Sequence, residues 1–475
     1  MKELWKKGKE RIGFIWRPAL LLSLIWWISS PVAASVFQDS LGRTSPRLAD
    51  SLKAGTIDFH LRTFVMGTSN WRALTDYFTT ATGGGVAYAS PRFKGFQVGF
   101  SGFFVFQLFE HNLRVPDPTT GNVNRYEILL YDMNDFQNSK DLDRLEHLYI
   151  SYKNGGLTTT FGRQRVNSPF LNEQDNRMRP NVFSGLTIDY QKQNWEFMGG
   201  WYNHVTMRGT VDWYTVSDSY GVYPFGRNVF GSSSSYHGNV DSRGLGLLGV
   251  NYHKEKGIDL QIWNYLAENV FSLHYMKLEK SWRKGKVGLL SGLEGFRQYS
   301  INKGGNPDPG KAYIVPGENA WGVGARIGLS SRGHEFTFNN LFHSSSGRFL
   351  FPREWGRESF YASLPRERFE GNGGVRAYVL KYRKSWQKPS LITNLGIGSI
   401  AQPSVENYQL NKYGVPSYYH FTGDVGYAFK GNLEGLELRF LLVNKTSKGR
   451  AEVSDKYRIN RVDLWNANLV MDYRF

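Results

Sequence analysis

The chain has 475 residues, with 58 Lys and Arg against 41 Asp and Glu, 15% aromatic residues, 52 Gly and no Cys. A mean hydropathy of −0.44 excludes a polytopic helical membrane protein, which needs several apolar stretches of about 20 residues. The absence of Cys excludes disulfides, thiolate metal sites, a cysteine nucleophile and a lipid anchor on cysteine.

The first element is a targeting segment. Lys2, Lys6, Lys7, Lys9, Arg11 and Arg17 precede an apolar run from Pro18 to Ser29, followed by Pro31-Val32-Ala33-Ala34-Ser35. A basic start, about a dozen apolar residues and small residues before a cut after Ala34 predict a secretory signal peptide over residues 1–34. Export makes nucleic acid an unexpected partner despite the net charge of +17.

From Gly55 onward hydrophobicity alternates with period 2. Ile57, Phe59 and Leu61 alternate with Asp58, His60 and Arg62, and Leu436, Leu438 and Phe440 with Glu437 and Arg439. Such spacing puts one set of side chains on each face of a sheet. The pattern predicts 18 strands, near 56–66, 81–90, 95–109, 145–154, 157–164, 184–191, 194–203, 243–253, 258–265, 270–281, 286–296, 321–330, 334–343, 374–384, 390–399, 418–429, 435–445 and 460–475. Short connections alternate with long ones at 67–80, 110–144, 165–183, 204–242, 297–320, 344–373 and 400–417, and the 266–269 link alone is short where a long one is due. Even strand number with short turns on one side and long loops on the other predicts an all-β fold, a transmembrane antiparallel β-barrel of the bacterial outer membrane. Strands in lipid must close on themselves, because lipid cannot satisfy an open edge.

The last strand alternates Trp465, Ala467, Leu469, Met471 and Tyr473 and ends in Phe475. A terminal aromatic of this kind is the signal expected for the barrel-assembly machinery. Outer-membrane lipid and small hydrophilic solutes are the other expected partners, with no metal or cofactor. A barrel's outer face reads alike in a monomer and a trimer.

Chemistry concentrates in the third long loop, 165–183, taken as the pore constriction. Arg163, Arg165, Arg177 and Arg179 lie close together, with Glu173 and Asp175 between them. An inward-folded loop would bring these guanidinium groups into the channel, where a low-dielectric wall strengthens their pull on carboxylates. The other reading is a solvent-exposed loop whose arginines pair with its own acids. Strand parity adds His60, Arg62, Lys153, Arg326 and Arg439 to the lumen, opposed by Asp58, Asp424 and Glu437. The loop from Phe351 mixes Arg353, Arg357, Arg366 and Arg368 with Glu354, Glu358, Glu367 and Glu370, and reads as an extracellular lid crosslinked by ion pairs or as a mobile surface loop.

These segments resemble the OprD-type porin family, in the form found in Bacteroidota-like bacteria. The resemblance rests on Leu61–Phe104, on Gly162-Arg163-Gln164, Pro169 and Asp175-Asn176-Arg177-Met178-Arg179-Pro180, on Phe351–Tyr382 and on the terminal Phe475. It implies an 18-stranded monomeric barrel narrowed by the third loop, with basic residues guiding small solutes that often carry a carboxylate. The ladder matches only around Arg163, Arg165, Arg177 and Arg179; Arg62, Arg326 and Arg439 rest on parity.

A passive channel is thus the expected function, selective or general. A barrel enzyme is disfavoured because no His-Glu-x-x-His or Gly-x-Ser-x-Gly occurs. An energised receptor would need a plug domain of over a hundred residues, and a secreted all-β binding protein would not need detergent.

Overall fold

The computed structural model describes residues 55–475 except Asp175, Glu255, Lys256, Lys388, Arg450 and Ala451. The signal-peptide expectation and the expectation for Asp175 lie outside the described residues. Eighteen long strands follow in order: β1 Thr56–Ser69, β2 Tyr77–Ala89, β3 Phe96–His111, β4 Asp143–Asn154, β5 Leu157–Gln164, β6 Val182–Lys192, β7 Trp195–Thr206, β8 Leu245–Lys254 and β9 Ile258–Ala267. They continue as β10 Phe271–Lys284, β11 Val287–Ser300, β12 Asn319–Ser331, β13 His334–His343, β14 Arg376–Trp386, β15 Leu391–Ala401, β16 Tyr418–Ala428, β17 Leu436–Ser447 and β18 Leu464–Arg474. A two-residue strand, Tyr214–Thr215, pairs with β7 inside the connection that follows it.

Each strand pairs antiparallel with its neighbours, and β18 returns to β1 with Arg62 opposite Asp472. The seam ends in reciprocal backbone bonds between Phe59 and Phe475, whose rings stack at 5.3 Å. Closure leaves the sheet without an open edge, as lipid requires. One face carries the lipid-exposed side chains, including Ile57, Phe59, Leu61, Phe161, Leu248, Ile262 and Leu380.

The turns between β4 and β5, β6 and β7, and β10 and β11 have two residues each, whereas outer connections such as 112–142, 207–244 and 344–375 are long. The connection between β1 and β2 is shorter than its expected 67–80, because the ladder runs up to Thr68 opposite Tyr77. The short 268–270 link stands on the outer side, as the sequence predicts.

The lumen departs from the simple rule of polar-inside. On β10, Phe271, Leu273 and Tyr275 point inward and are buried, and Lys277 continues that face toward the periplasmic end. These residues, with Tyr265 of β9 and Phe296 of β11, form one wall of an aromatic core filled from above by the long loops. Phe170, fully buried, lies 5.0 Å from Tyr275, 5.5 Å from Tyr265 and Phe360, 5.7 Å from Phe349 and 5.8 Å from Phe351. Trp355 is also fully buried, and its indole N–H donates to Ser219 Oγ at 2.8 Å. Burial of each such ring stabilises the packing by about 1.5–3 kcal/mol. A Cβ on Gly356 would stand 1.8 Å from the Phe170 carbonyl oxygen, so only glycine lets the two loops meet here.

Candidate pore constriction

The loop after β5, residues 165–181, turns into the barrel. Met178 packs against the wall at Gly83 of β2, where a Cβ would approach the methionine methyl at 3.1 Å and the Phe104 carbonyl at 2.4 Å. The loop after β13, residues 344–375, descends beside it. This second loop is no outer lid: Trp355, Phe360, Glu367 and Phe369 are buried within the barrel. Its acids hold it in place. Arg353 Nε stands 2.8 Å from Glu370, which Lys412 Nζ approaches at 3.5 Å, and Arg368 reaches Glu358 at 3.5 Å. Glu367 accepts from Tyr418 Oη, stands 3.0 Å from His420 Nδ1 and 3.8 Å from Lys445 Nζ. Burial pushes the Glu367 carboxyl upward, but Lys445 and His420 overcome it and hold the group at about 2.

Two cavities meet at these loops. The outer one is narrow, about 90 Å³, and eight arginines and Lys445 line it against a single carboxylate, Glu367. The inner one, about 460 Å³, runs down to Arg439, Asp472 and Arg474. Asn176, Arg177, Arg357 and Arg366 border both, and so mark the narrow junction between the outer loops and the inner vestibule.

Six of the arginines around the outer cavity make no ion pair among the described residues: Arg125, Arg177, Arg208, Arg357, Arg366 and Arg461. Their polar contacts are to neutral groups. Arg177 donates to the Asn176 carbonyl at 2.7 Å, Arg208 to Asn176 Oδ1, Arg366 to Asn466 and Asn468, and Arg461 to the Tyr413 carbonyl at 3.1 Å. Arg125 lies over the rings of Phe225 and Tyr413, at 5.1 and 5.5 Å. Burial pulls Arg177 well below the usual arginine range, and the charges of Arg366 and Arg208 add to the shift. Burial likewise takes Arg366 down to about 9, with Arg208 repelling it, and it stays charged at neutral pH. Like charges held together in a dry wall, with neutral partners only, create a strong demand for an anion.

The sequence-predicted site residues divide. Arg177 stands at the junction, with Arg62 Nη1 donating to its carbonyl at 2.7 Å. Arg62 Nε and His60 Nε2 both meet Asp472 Oδ1, at 2.6 and 2.7 Å, across the barrel seam. Arg439 grips Asp424 with two bonds of 2.7 and 2.9 Å, and Arg326 reaches Glu279 at 3.0 Å beneath the Tyr361 ring. These parity-derived residues face the lumen, each beside an acid. Arg165 borders a separate inner cavity and stands 3.3 Å from Glu173.

Two expectations require correction. Arg163 shares the face of Phe161, pairs across the ladder with exposed Leu148, and lies 4.5 Å from the Trp213 ring; it points outward rather than into the channel. Arg179 is fully buried and donates to the Leu142 and Tyr131 carbonyls, at 2.9 Å each, so it ties two loops together and does not line the cavity. Arg179→Ala takes the donor from the Tyr131 carbonyl, at about 1–3 kcal/mol, while the Leu142 carbonyl keeps the Val105 N–H at 3.2 Å. We expect faster amide hydrogen exchange over residues 128–142 in that variant with ion selectivity the same as in the wild type; unchanged exchange would mean the loops are held elsewhere. Sequence reasoning missed Arg125, Arg208 and Arg461, which come from three separate outer connections and carry no local motif.

The family of outer membrane porins named OprD matches residues 128–334. The chain carries the OprD-family pattern over that stretch. The fold is that of solved porins. OpdK from Pseudomonas aeruginosa, solved with vanillate, is 17% identical, with a TM-score of 0.65 over 89% of this chain and 99% of that one. OccK9 (OpdG) from the same organism is 15% identical, with a TM-score of 0.69 over 90% and 99%. OccAB4 from Acinetobacter baumannii is 15% identical, with a TM-score of 0.67 over 89% and 98%. No curated protein matches this chain in sequence.

Proposed function

We propose that this chain is an outer-membrane porin that favours small hydrophilic solutes bearing a carboxylate or another anionic group, and that it selects them at the junction of the two cavities. The observation that carries the reading is the set of six arginines without an ion-pair partner around the outer cavity. An anion passing Arg177, Arg357 and Arg366 meets planar donors matched to a carboxylate, in a place where bulk water screens them poorly. The vestibule below lowers the charge step. Its Arg62 and Arg439 stand beside Asp472 and Asp424, so a solute released from the junction meets arginines that already hold a carboxylate and is not trapped. Vanillate, the molecule in the OpdK structure, is an aromatic carboxylate and belongs to the same solute class.

Liposome swelling tests the reading. With the purified protein in the bilayer, benzoate should enter faster than benzamide of nearly equal size. Equal rates for the two would leave a general porin without charge selection. The terminal strand, sealed by the Phe59–Phe475 stack, is our candidate for the segment that the assembly machinery reads.

A further inference from the structure

The outer wall of the barrel carries charge where it should be apolar. On the lipid-facing side of β9 to β12, Asn264, His274, Arg297 and Trp321 stand directly opposite one another in a row. The next row toward the periplasm is Ile262, Met276, Gly295 and Val323, an ordinary lipid face. Arg297 is exposed and makes no hydrogen bond or ion pair among the described residues. Arg376 repeats this on β14: it is exposed, outward on the parity of Tyr378 and Leu380, and opposite Phe342, whose ring meets Trp321 at 5.6 Å. Both arginines sit within a few residues of the outer ends of their strands. A hydrogen-bonded network lies beside Arg297. Asn264 Nδ2 donates to Ser272 Oγ at 3.0 Å and lies 3.1 Å from His274 Nδ1, and His274 Nε2 is 3.3 Å from Tyr299 Oη. Below the row, an outward groove of about 800 Å³ is lined by Ile188, Phe197, Leu248, Ile262, Met276 and Val323.

We propose that this face binds an anionic lipid of the outer leaflet, its phosphates held by Arg297 and Arg376 and an acyl chain laid in the groove. A lipid-facing arginine is costly at the bilayer midplane and tolerated near the interface, so these two stand at the depth where headgroup phosphates lie. An unpaired guanidinium at that depth is complementary to phosphate. The strands are about 5 Å apart, so Arg297 and Arg376, three strands apart, are separated by about 15 Å. That breadth suits a headgroup with two phosphates rather than one. The groove supplies what a free anion would not use, a dry surface for a hydrocarbon chain.

The test is native mass spectrometry of the detergent-solubilised protein with bisphosphorylated lipid A, its dephosphorylated form, or inorganic phosphate as competitor. The wild type should retain the bisphosphorylated lipid at least about tenfold more tightly than the R297Q/R376Q variant. The dephosphorylated lipid should bind as weakly to both, and millimolar phosphate should not displace the lipid. Equal retention by wild type and variant, or equal retention of the two lipids, would overturn the proposal. Displacement by inorganic phosphate would do so too, leaving a bare anion site. Single-channel conductance should be the same in wild type and variant, which shows the barrel intact. Should the double variant fail to fold, R297Q alone should lose part of the retention, and no loss would count against the site.

Discussion

Reversing two charges at the cavity junction, with R177E and R366E together, should shift ion preference strongly from anions toward cations. Arg177 and Arg366 border both cavities, and neither has a carboxylate partner. Each unit charge at about 6 Å from a permeating ion, in an effective dielectric of 20 to 40, contributes about 1–3 kcal/mol. Changing two charges from +1 to −1 should shift the permeability ratio by well over tenfold in ~0.1 M salt. The shift should shrink in ~1 M salt, where the screening length falls to about 3 Å. The barrel should tolerate the change. Arg366 bonds only to the side chains of Asn466 and Asn468, whose amides can donate to a carboxylate instead, and the Arg177 carbonyl that receives Arg62 is kept. Reversal potential in a planar bilayer under a salt gradient reads the outcome. Unchanged ion preference in a folded barrel would mean that the narrow junction lies elsewhere.

Removing the ring at the centre of the inner core should open the channel. Phe170 touches aromatic rings from β9, β10 and the 344–375 loop, so Phe170→Ala removes the point at which both constriction loops are fastened to the wall. The substitution should cost about 3–5 kcal/mol of packing. The β1–β18 seam and the strand ladders do not use Phe170, so the barrel should still migrate as a folded, heat-modifiable species. Single-channel conductance should rise, open-channel noise should increase and anion preference should fall, because Arg177 and Arg357 would no longer be held across from each other. A conductance equal to the wild type would show that the polar contacts alone, such as Asn172 with Arg357, keep the loops in place.

The two variants probe different layers of the molecule, and those layers were unequally legible. Strand parity assigns Arg62, Arg326 and Arg439 to one face, where they border inner cavities, because the side-chain period of a strand is fixed at 2. The same rule, applied to β5, sets Arg163 on the lipid side two residues from Phe161; proximity to the arginine-rich loop outweighed it. Parity ends where a strand ends. Nothing local separates Arg177, which borders the cavities, from Arg179, which is spent on two backbone carbonyls. The alternation also misreads β9 to β11 at their outer ends, where Tyr265, Tyr275 and Phe296 face inward onto loops and not onto water.

By itself the sequence determined the closed barrel, its eighteen strands and the side on which the long loops lie. These follow from local regularities: a two-residue period, turn chemistry and a membrane that forbids an unpaired edge. Only the tertiary structure decided which arginines meet. Arg125, Arg177, Arg208, Arg357, Arg366 and Arg461 come from five outer connections that are adjacent only because the barrel closes and the aromatic core draws its loops inward. Their shared charge is a property of that convergence, since electrostatic energy depends on separation in space and on burial and not on separation along the chain.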